Sequence, residues 1–353
     1  MKLFEKNTVG QMQLNNRIVL APLTRSRAIG NVPNDLMALY YSQRAAAGLL
    51  ITEGTSPSPN GLGYARIPGL YNQAQVDGWK LVTQAVHKKA GRIFVQLMHT
   101  GRVSHPANMP SGGVILAPSA IQLSGQMWTD SQGLQNYPLP KEMSETEISA
   151  AIAEYATSAE LAMKAGFDGV ELHAANGYLI EQFLNPASNK RTDRWGGSAE
   201  NRMRFALEVA KVVVNKIGGQ RTGIRVSPYG VFNDTGAFDG IDQFYADFAK
   251  RLSELGLVYI HVVDHSAMGA PEVSAEVKRQ IRQNFKGTYI LSGGYDSEKA
   301  ERDLSEKRGD LVAFGRSFIS NPDLVEKLSS KQALKQPDAT KFYTPGPEGY
   351  TDY

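Results

Sequence analysis

The stretch Val170-Glu171-Leu172-His173-Ala174-Ala175-Asn176-Gly177-Tyr178-Leu179-Ile180-Glu181-Gln182-Phe183-Leu184 decides the fold. Residues 169–172 form a short apolar run, the pattern of a buried strand, and the run ends in His173. Leu179, Ile180, Phe183 and Leu184 then recur at helical spacing. His173, Asn176 and Tyr178 therefore fall where a strand gives way to a helical turn. In α/β proteins ligands bind beyond the carboxyl ends of parallel strands. A helical turn would put His173 and Asn176 on one face at i, i+3, two neutral donors aimed at one acceptor with a phenol close by. Taken singly, each residue has a plainer reading: a satisfied histidine, an Asn-Gly turn, a rim tyrosine. Their coincidence at one junction points to function because the rest of the chain builds a mouth for them to face.

Outward from this stretch, eight short β-rich runs recur at 17–20, 49–52, 92–97, 169–172, 222–226, 259–263, 289–291 and 311–314. Helical patterns cover 34–47, 73–90, 244–255 and 297–307. Two further helices begin at Ser144, with the capping-box spacing Ser-Glu-Thr-Glu, and at Ser198. Strands alternating with helices give a parallel sheet, and eight of them close into a (β/α)8 TIM barrel better than they form an open sheet. The expected organisation is α/β, one barrel over 1–353 with no dividing linker. Residues 1–16 form an N-terminal cap or hairpin. Residues 98–143, rich in Pro, Gly and Ser, make a long irregular excursion over the mouth, and loops of that length are usually functional.

Composition narrows the classes. Hydrophobic residues make up 42% of the 353 and charged residues 21%, which suits a large globular core. The 38 basic and 35 acidic residues are interspersed, so nucleic acid and anionic membrane are poor partners. There are no cysteines, which excludes disulfides, thiolate catalysis and cysteine-held iron–sulfur clusters. No apolar run reaches membrane-spanning length and the first residues lack a signal-peptide pattern. A cytoplasmic monomer or homodimer is the expectation.

The strand ends carry the chemistry of a barrel. They read Pro22-Leu23-Thr24, Gly54, Gln96, His173 with Asn176 and Tyr178, Arg225, Gly293-Gly294 and Gly315-Arg316. No histidines and carboxylates stand at metal-ligand spacing, no carboxylate pair suggests glycosidase chemistry, and no Gly-x-Ser-x-Gly elbow is present. The turns after strands seven and eight are a barrel's usual phosphate site: Gly293-Gly294 lets backbone N–H groups approach an anion, and Arg316 adds a cation. Gln96 and Arg225 suit the polar edge of a heterocycle, and Arg225 would stabilise an anionic reduced flavin. Thr24 reads either as a helix cap or as a donor to that ring.

These motifs resemble the old yellow enzyme family. The resemblance rests on 173–184, on Asn189-Lys190-Arg191-Thr192-Asp193, on Gly196-Gly197-Ser198-Ala199-Glu200-Asn201-Arg202, on Ala21-Pro22-Leu23-Thr24-Arg25, on 96–102, on Phe314-Gly315-Arg316 and on the tail from Phe342-Tyr343 to Tyr353. It implies an FMN-dependent (β/α)8 barrel that uses NADPH or NADH to reduce activated C=C bonds of small electron-poor alkenes. By position, Thr24, Gln96 and Arg225 would contact the isoalloxazine, and Pro22, Leu23, Gly54 and His173 would lie against the cofactor. Gly293, Gly294, Gly315 and Arg316 would hold its phosphate. His173 and Asn176 would bind the substrate's carbonyl or nitro oxygen, Tyr178 would supply the proton, and Tyr64 and Tyr343 would line the pocket. Met98 stands where many relatives carry Trp, a departure that bears on pocket size. Two rival readings are an FMN-dependent 2-hydroxy-acid oxidase or dehydrogenase on the same barrel, and a barrel that binds without catalysing.

Overall fold

The computed structural model describes residues Met1–Tyr353. A small antiparallel hairpin, β1 (Asn7–Val9) and β2 (Met12–Leu14), opens the chain. There follow β3 (Ile18–Leu20), α1 (Asp35–Gln43), β4 (Leu49–Thr55), α2 (Gln73–His87) and β5 (Ile93–Leu97). The excursion carries β6 (Leu116–Ala117), β7 (Gln126–Thr129), β8 (Gly133–Asn136) and β9 (Lys141–Glu142). The chain then resumes alternation with α3 (Glu145–Lys164), β10 (Gly169–Ala174), α4 (Leu179–Leu184), α5 (Ala199–Ile217), β11 (Thr222–Val226) and α6 (Ile241–Glu254). Its last third holds β12 (Tyr259–Val263), α7 (Ala275–Asn284), β13 (Thr288–Ser292), α8 (Ser297–Ser305), β14 (Leu311–Phe314), α9 (Arg316–Ser320) and α10 (Leu324–Ser329).

Strands β3, β4, β5 and β10 to β14 close into a parallel barrel, β14 pairing back onto β3 through Phe314 and Leu20. Seven of its strands, β13 being the exception at Thr288, are buried along their whole length. That is why they read as continuous apolar runs and not as alternating ones. The Ser144 and Glu147 spacing does form a capping box on α3, and Ser198 caps α5. No helix is long and apolar enough to cross a membrane.

Several local features differ from what the sequence suggests. The excursion is not wholly irregular: β7 and β8 form an antiparallel hairpin, and β6 pairs with β9. Helix α7 leaves no clear trace in the sequence because only Val277 and Ile281 of its ten residues are buried, too narrow a stripe to stand out among charges. Thr24 lies in an irregular connection well before α1, whose cap is Asn34, so the helix-cap reading of Thr24 fails.

Candidate active site

The carboxyl ends of the barrel strands open into one cavity of about 490 Å³. It is lined by Pro22, Leu23 and Thr24 after β3, Gly54 near the end of β4, Gln96 in β5, His173 in β10, and Arg225 in β11. Gly293 and Gly294 after β13, Gly315 and Arg316 after β14, and Asn176, Tyr178, Tyr64 and Tyr343 complete the same wall. The structure thus brings together every residue singled out from the sequence.

The turn that follows β10 is not the helical one expected. Asn176 and Gly177 both take left-handed backbone angles, with φ of 60° and 73°. Asn tolerates that conformation better than most residues with a side chain. A Cβ at position 177 would press on the Phe232 carbonyl. The turn is held from both sides: Asn176 N–H donates to Ser227 Oγ (2.9 Å), and Gly177 N–H donates to Glu181 Oε2 (2.6 Å). Helix α4 begins only at Leu179, with Tyr178 as its cap. His173 and Asn176 therefore meet at the cavity through a reversal of the chain, not through helical spacing. His173 itself is buried. Burial in the barrel wall, reinforced by the Arg225 charge, pushes its pKa well below the ordinary histidine value.

Tyr178 stands edge-on to His173, ring centroids 4.9 Å apart, and its hydroxyl lies 3.1 Å from that of Tyr64. Desolvation pushes the Tyr178 phenol up to about 12, although the Tyr64 hydrogen bond acts in the opposite sense. The excursion roofs this pair: Met127 of β7 packs with Val103, Leu123 and Tyr137 against both rings. Tyr343 reaches the rim because two buried arginines hold the tail by its carbonyls. Arg25 Nη2 donates to Gly349 O (2.6 Å), and Arg27 Nη1 to Phe342 O (2.5 Å).

Below the mouth lies a buried polar cluster that the sequence reading passed over. Glu171 accepts from Gln96 Nε2 (2.8 Å), Tyr259 Oη (3.0 Å) and His261 Nδ1 (2.9 Å). With its amide nitrogen committed downward, Gln96 keeps Oε1 as an acceptor for the cavity. The signal was present: a glutamate inside an otherwise apolar strand must be partnered. Arg225 is buried, yet its guanidinium donates no hydrogen bond within the protein and its Nε lacks any partner, as does His173 Nδ1. Such groups call for an acceptor that a ligand brings.

At the far side of the cavity Gly293 has φ of 121° and Gly294 of 60°. A Cβ on Gly293 would collide with the Asp264 carbonyl, and one on Gly294 would meet Ala267. Gly315 caps α9, and Arg316, its first residue, is exposed to the cavity. The cradle is built of backbone, with one free cation beside it.

The NADH:flavin oxidoreductase / NADH oxidase family model matches residues 2–335. The chain belongs to the old yellow enzyme family. It is 44% identical to chanoclavine-I aldehyde reductase of Penicillium roqueforti, covering 100% of this chain and 96% of that protein. Identity to 12-oxophytodienoate reductase 7 of Oryza sativa subsp. japonica is 41%, over 99% and 94% of the two chains. Morphinone reductase in complex with tetrahydroNAD superposes with a TM-score of 0.94 at 42% identity, covering 99% and 96%. This old yellow enzyme is thus an FMN-dependent ene-reductase reduced by a nicotinamide. Its cavity fits that cofactor: the partnerless Arg225 and the free Gln96 Oε1 suit a polar heterocycle edge, and the glycine cradle with Arg316 suits a phosphate.

Proposed function

We propose that this enzyme reduces small electron-poor alkenes, α,β-unsaturated carbonyl or nitro compounds, with NADPH or NADH in the cytoplasm, as a monomer or homodimer. The observation that carries the reading is one cavity wall holding two neutral donors, His173 and Asn176, beside a phenol that keeps its proton. FMN, when bound, would supply the hydride-transfer chemistry between the nicotinamide and the alkene. Thr24, Gln96 and Arg225 would hold the edge of its ring, Pro22, Leu23, Gly54 and His173 would line it, and Gly293, Gly294, Gly315 and Arg316 would hold its phosphate.

The protein's own contribution to alkene reduction is electrostatic and acid–base. As negative charge develops on the substrate oxygen, His173 and Asn176 stabilise it as hydrogen-bond donors; removing one such donor costs roughly 10²–10³ in rate. Because burial keeps His173 neutral, it donates without giving up a proton. Tyr178 transfers its hydroxyl proton to Cα and recovers one by way of Tyr64. Tyr64 and Tyr343 bound the pocket laterally, and Met98, packed under Tyr64 and Tyr178, sets its depth. The absence of cysteine fits a reducing compartment.

The test is anaerobic. The yellow protein is reduced with each nicotinamide in turn, cyclohexenone is added, and the flavin absorption band is followed. Return of the band with the enone supports the reading. A band that stays bleached with enones and nitroalkenes, while glycolate or lactate reduces the oxidised protein, overturns it in favour of 2-hydroxy-acid oxidation.

A further inference from the structure

Asn176 has four polar groups, and three are already committed. Its backbone N–H donates to Ser227 Oγ at 2.9 Å, and its backbone oxygen accepts from Asn233 Nδ2 at 2.7 Å. Its side-chain Oδ1 lies 2.7 Å from Nε2 of His265, a residue 89 positions further along the chain. Only the Nδ2 amino group is left, and Asn176 lines the cavity. His265 lies half-buried on the loop after β12 and lines the same cavity.

We propose that His265 is a positioning residue: by donating its Nε2–H to Asn176 Oδ1 it holds the amide with Nδ2 turned to the substrate oxygen. This inference rests on the alkene-reduction reading of the site. An asparagine amide presents a donor or an acceptor depending on a half-turn about one bond. Without a partner for Oδ1, the carbonyl end is free to face the cavity, where it would repel the charge it should stabilise. A histidine that holds this amide needs a fixed ring. Phe232 packs edge-on against it, centroids 4.6 Å apart at 69°. The backbone oxygen of His265 accepts from Met268 N at 2.8 Å and from Ala270 N at 3.3 Å. The adjoining Asp264 accepts from Ser266 N at 2.9 Å and from Lys278 Nζ at 2.6 Å. Burial holds the His265 pKa down to about 4, so the ring acts as a neutral donor and adds no charge of its own at neutral pH. The arrangement gives each of the two oxygen-binding donors a definite sense by different means: burial fixes His173, and a second imidazole fixes Asn176.

The experiment measures binding of an oxyanion to the oxidised FMN-holoenzyme. The probe is 4-nitrophenolate, titrated by its visible absorbance at a pH where it is largely ionised. His265→Phe keeps the ring packing on Phe232 and removes the donor; it should weaken the probe about tenfold. His265→Gln retains an N–H donor and should recover part of the loss. Asn176→Gly removes the amide without straining the left-handed backbone and should weaken the probe on its own. In the Asn176→Gly background His265→Phe should then change affinity by less than about twofold, because its partner is gone. If His265→Phe loses FMN or melts early, His265→Leu is read in its place. Unchanged or tighter binding in His265→Phe overturns the proposal, as does a full effect that persists without Asn176. If the native protein neither binds the probe nor reduces an enone, the alkene-reduction reading falls and takes this inference with it. If native protein and Asn176→Gly behave as that reading requires while His265→Phe does nothing, only the positioning role falls.

Discussion

The hydroxyl oxygens of Tyr64 and Tyr178 lie 3.1 Å apart, with the rings nearly perpendicular at 84°, although 114 residues separate them in the chain. Tyr64 is the only protein group within hydrogen-bond distance of the Tyr178 hydroxyl, so in the proposed mechanism it is the route by which a spent proton is replaced.

Tyr178→Phe should therefore slow alkene reduction by about 10² or more, the range of general acid catalysis, and leave flavin reduction by the nicotinamide nearly intact. Tyr64→Phe should slow the same half-reaction by a smaller factor, on the order of ten. Stopped-flow measurement of the two half-reactions separates these cases. Equal losses in both would remove Tyr178 from the proton-donor role.

In the proposed mechanism, His173→Ala and Asn176→Gly each remove one donor to the substrate oxygen. Each should lower the rate of alkene reduction by roughly 10²–10³. A nitroalkene, whose own group carries developing charge well, should suffer less than a ketone. Similar losses for both substrate classes would argue that the donors act on something other than that oxygen.

The pH dependence has a definite sign. The Tyr178 pKa is raised to about 12, so the proton it gives in the proposed mechanism is present as pH rises. His173 is pushed well below the usual histidine range, so its neutral form persists as pH falls. Alkene reduction should be flat between roughly pH 6 and 9, with no break near neutrality. A rate that follows one ionisation near pH 7 would contradict these assignments.

Gly293→Ala should lose FMN, because the added Cβ meets the Asp264 carbonyl and the backbone angle suits only glycine. Arg316→Ala should keep the fold and weaken FMN about tenfold or more, with a shallower dependence on salt than the native protein. Fluorescence quenching of added FMN reads both, and an unchanged affinity in both variants would place the phosphate elsewhere.

Glu53 is fully buried, and desolvation raises its pKa from 4.5 to about 7. A group raised on folding binds protons more tightly in the native state. Its contribution to stability is complete below about pH 4.5 and is lost as pH rises through 7. Thermal unfolding should show a midpoint that declines between about pH 5 and 8. Glu53→Gln, which still offers an acceptor to the Arg25 and Ser26 N–H groups, should flatten that decline. An undiminished slope in the variant would show that other groups set it.

The barrel was legible because its strands are buried on both faces, and eight apolar runs between helical patterns have few other solutions. The site was legible in part for a related reason: a barrel gathers its strand ends, so residues such as Gln96, His173, Arg225 and Arg316 need only their order to be placed at one mouth. The turn at Asn176 was not. Helical spacing and a left-handed reversal both bring Asn176 back toward His173, and the choice rests on Ser227 and Glu181, which reach the turn from outside it. Residues 98–143 concealed their hairpin because strands of four residues with mixed polarity leave no periodic trace.

By itself the sequence determined the eightfold alternation, the chemical types set at each strand end, and the exclusion of thiol and iron–sulfur chemistry. These are local or compositional facts. Only the tertiary structure decided which atoms of those residues face the cavity. Glu171 turns the Gln96 amide, His265 holds the Asn176 amide, and Tyr64 meets the Tyr178 phenol. The physical reason is that an amide or a hydroxyl donates or accepts according to its partner, and the partners here lie 75 to 114 residues away.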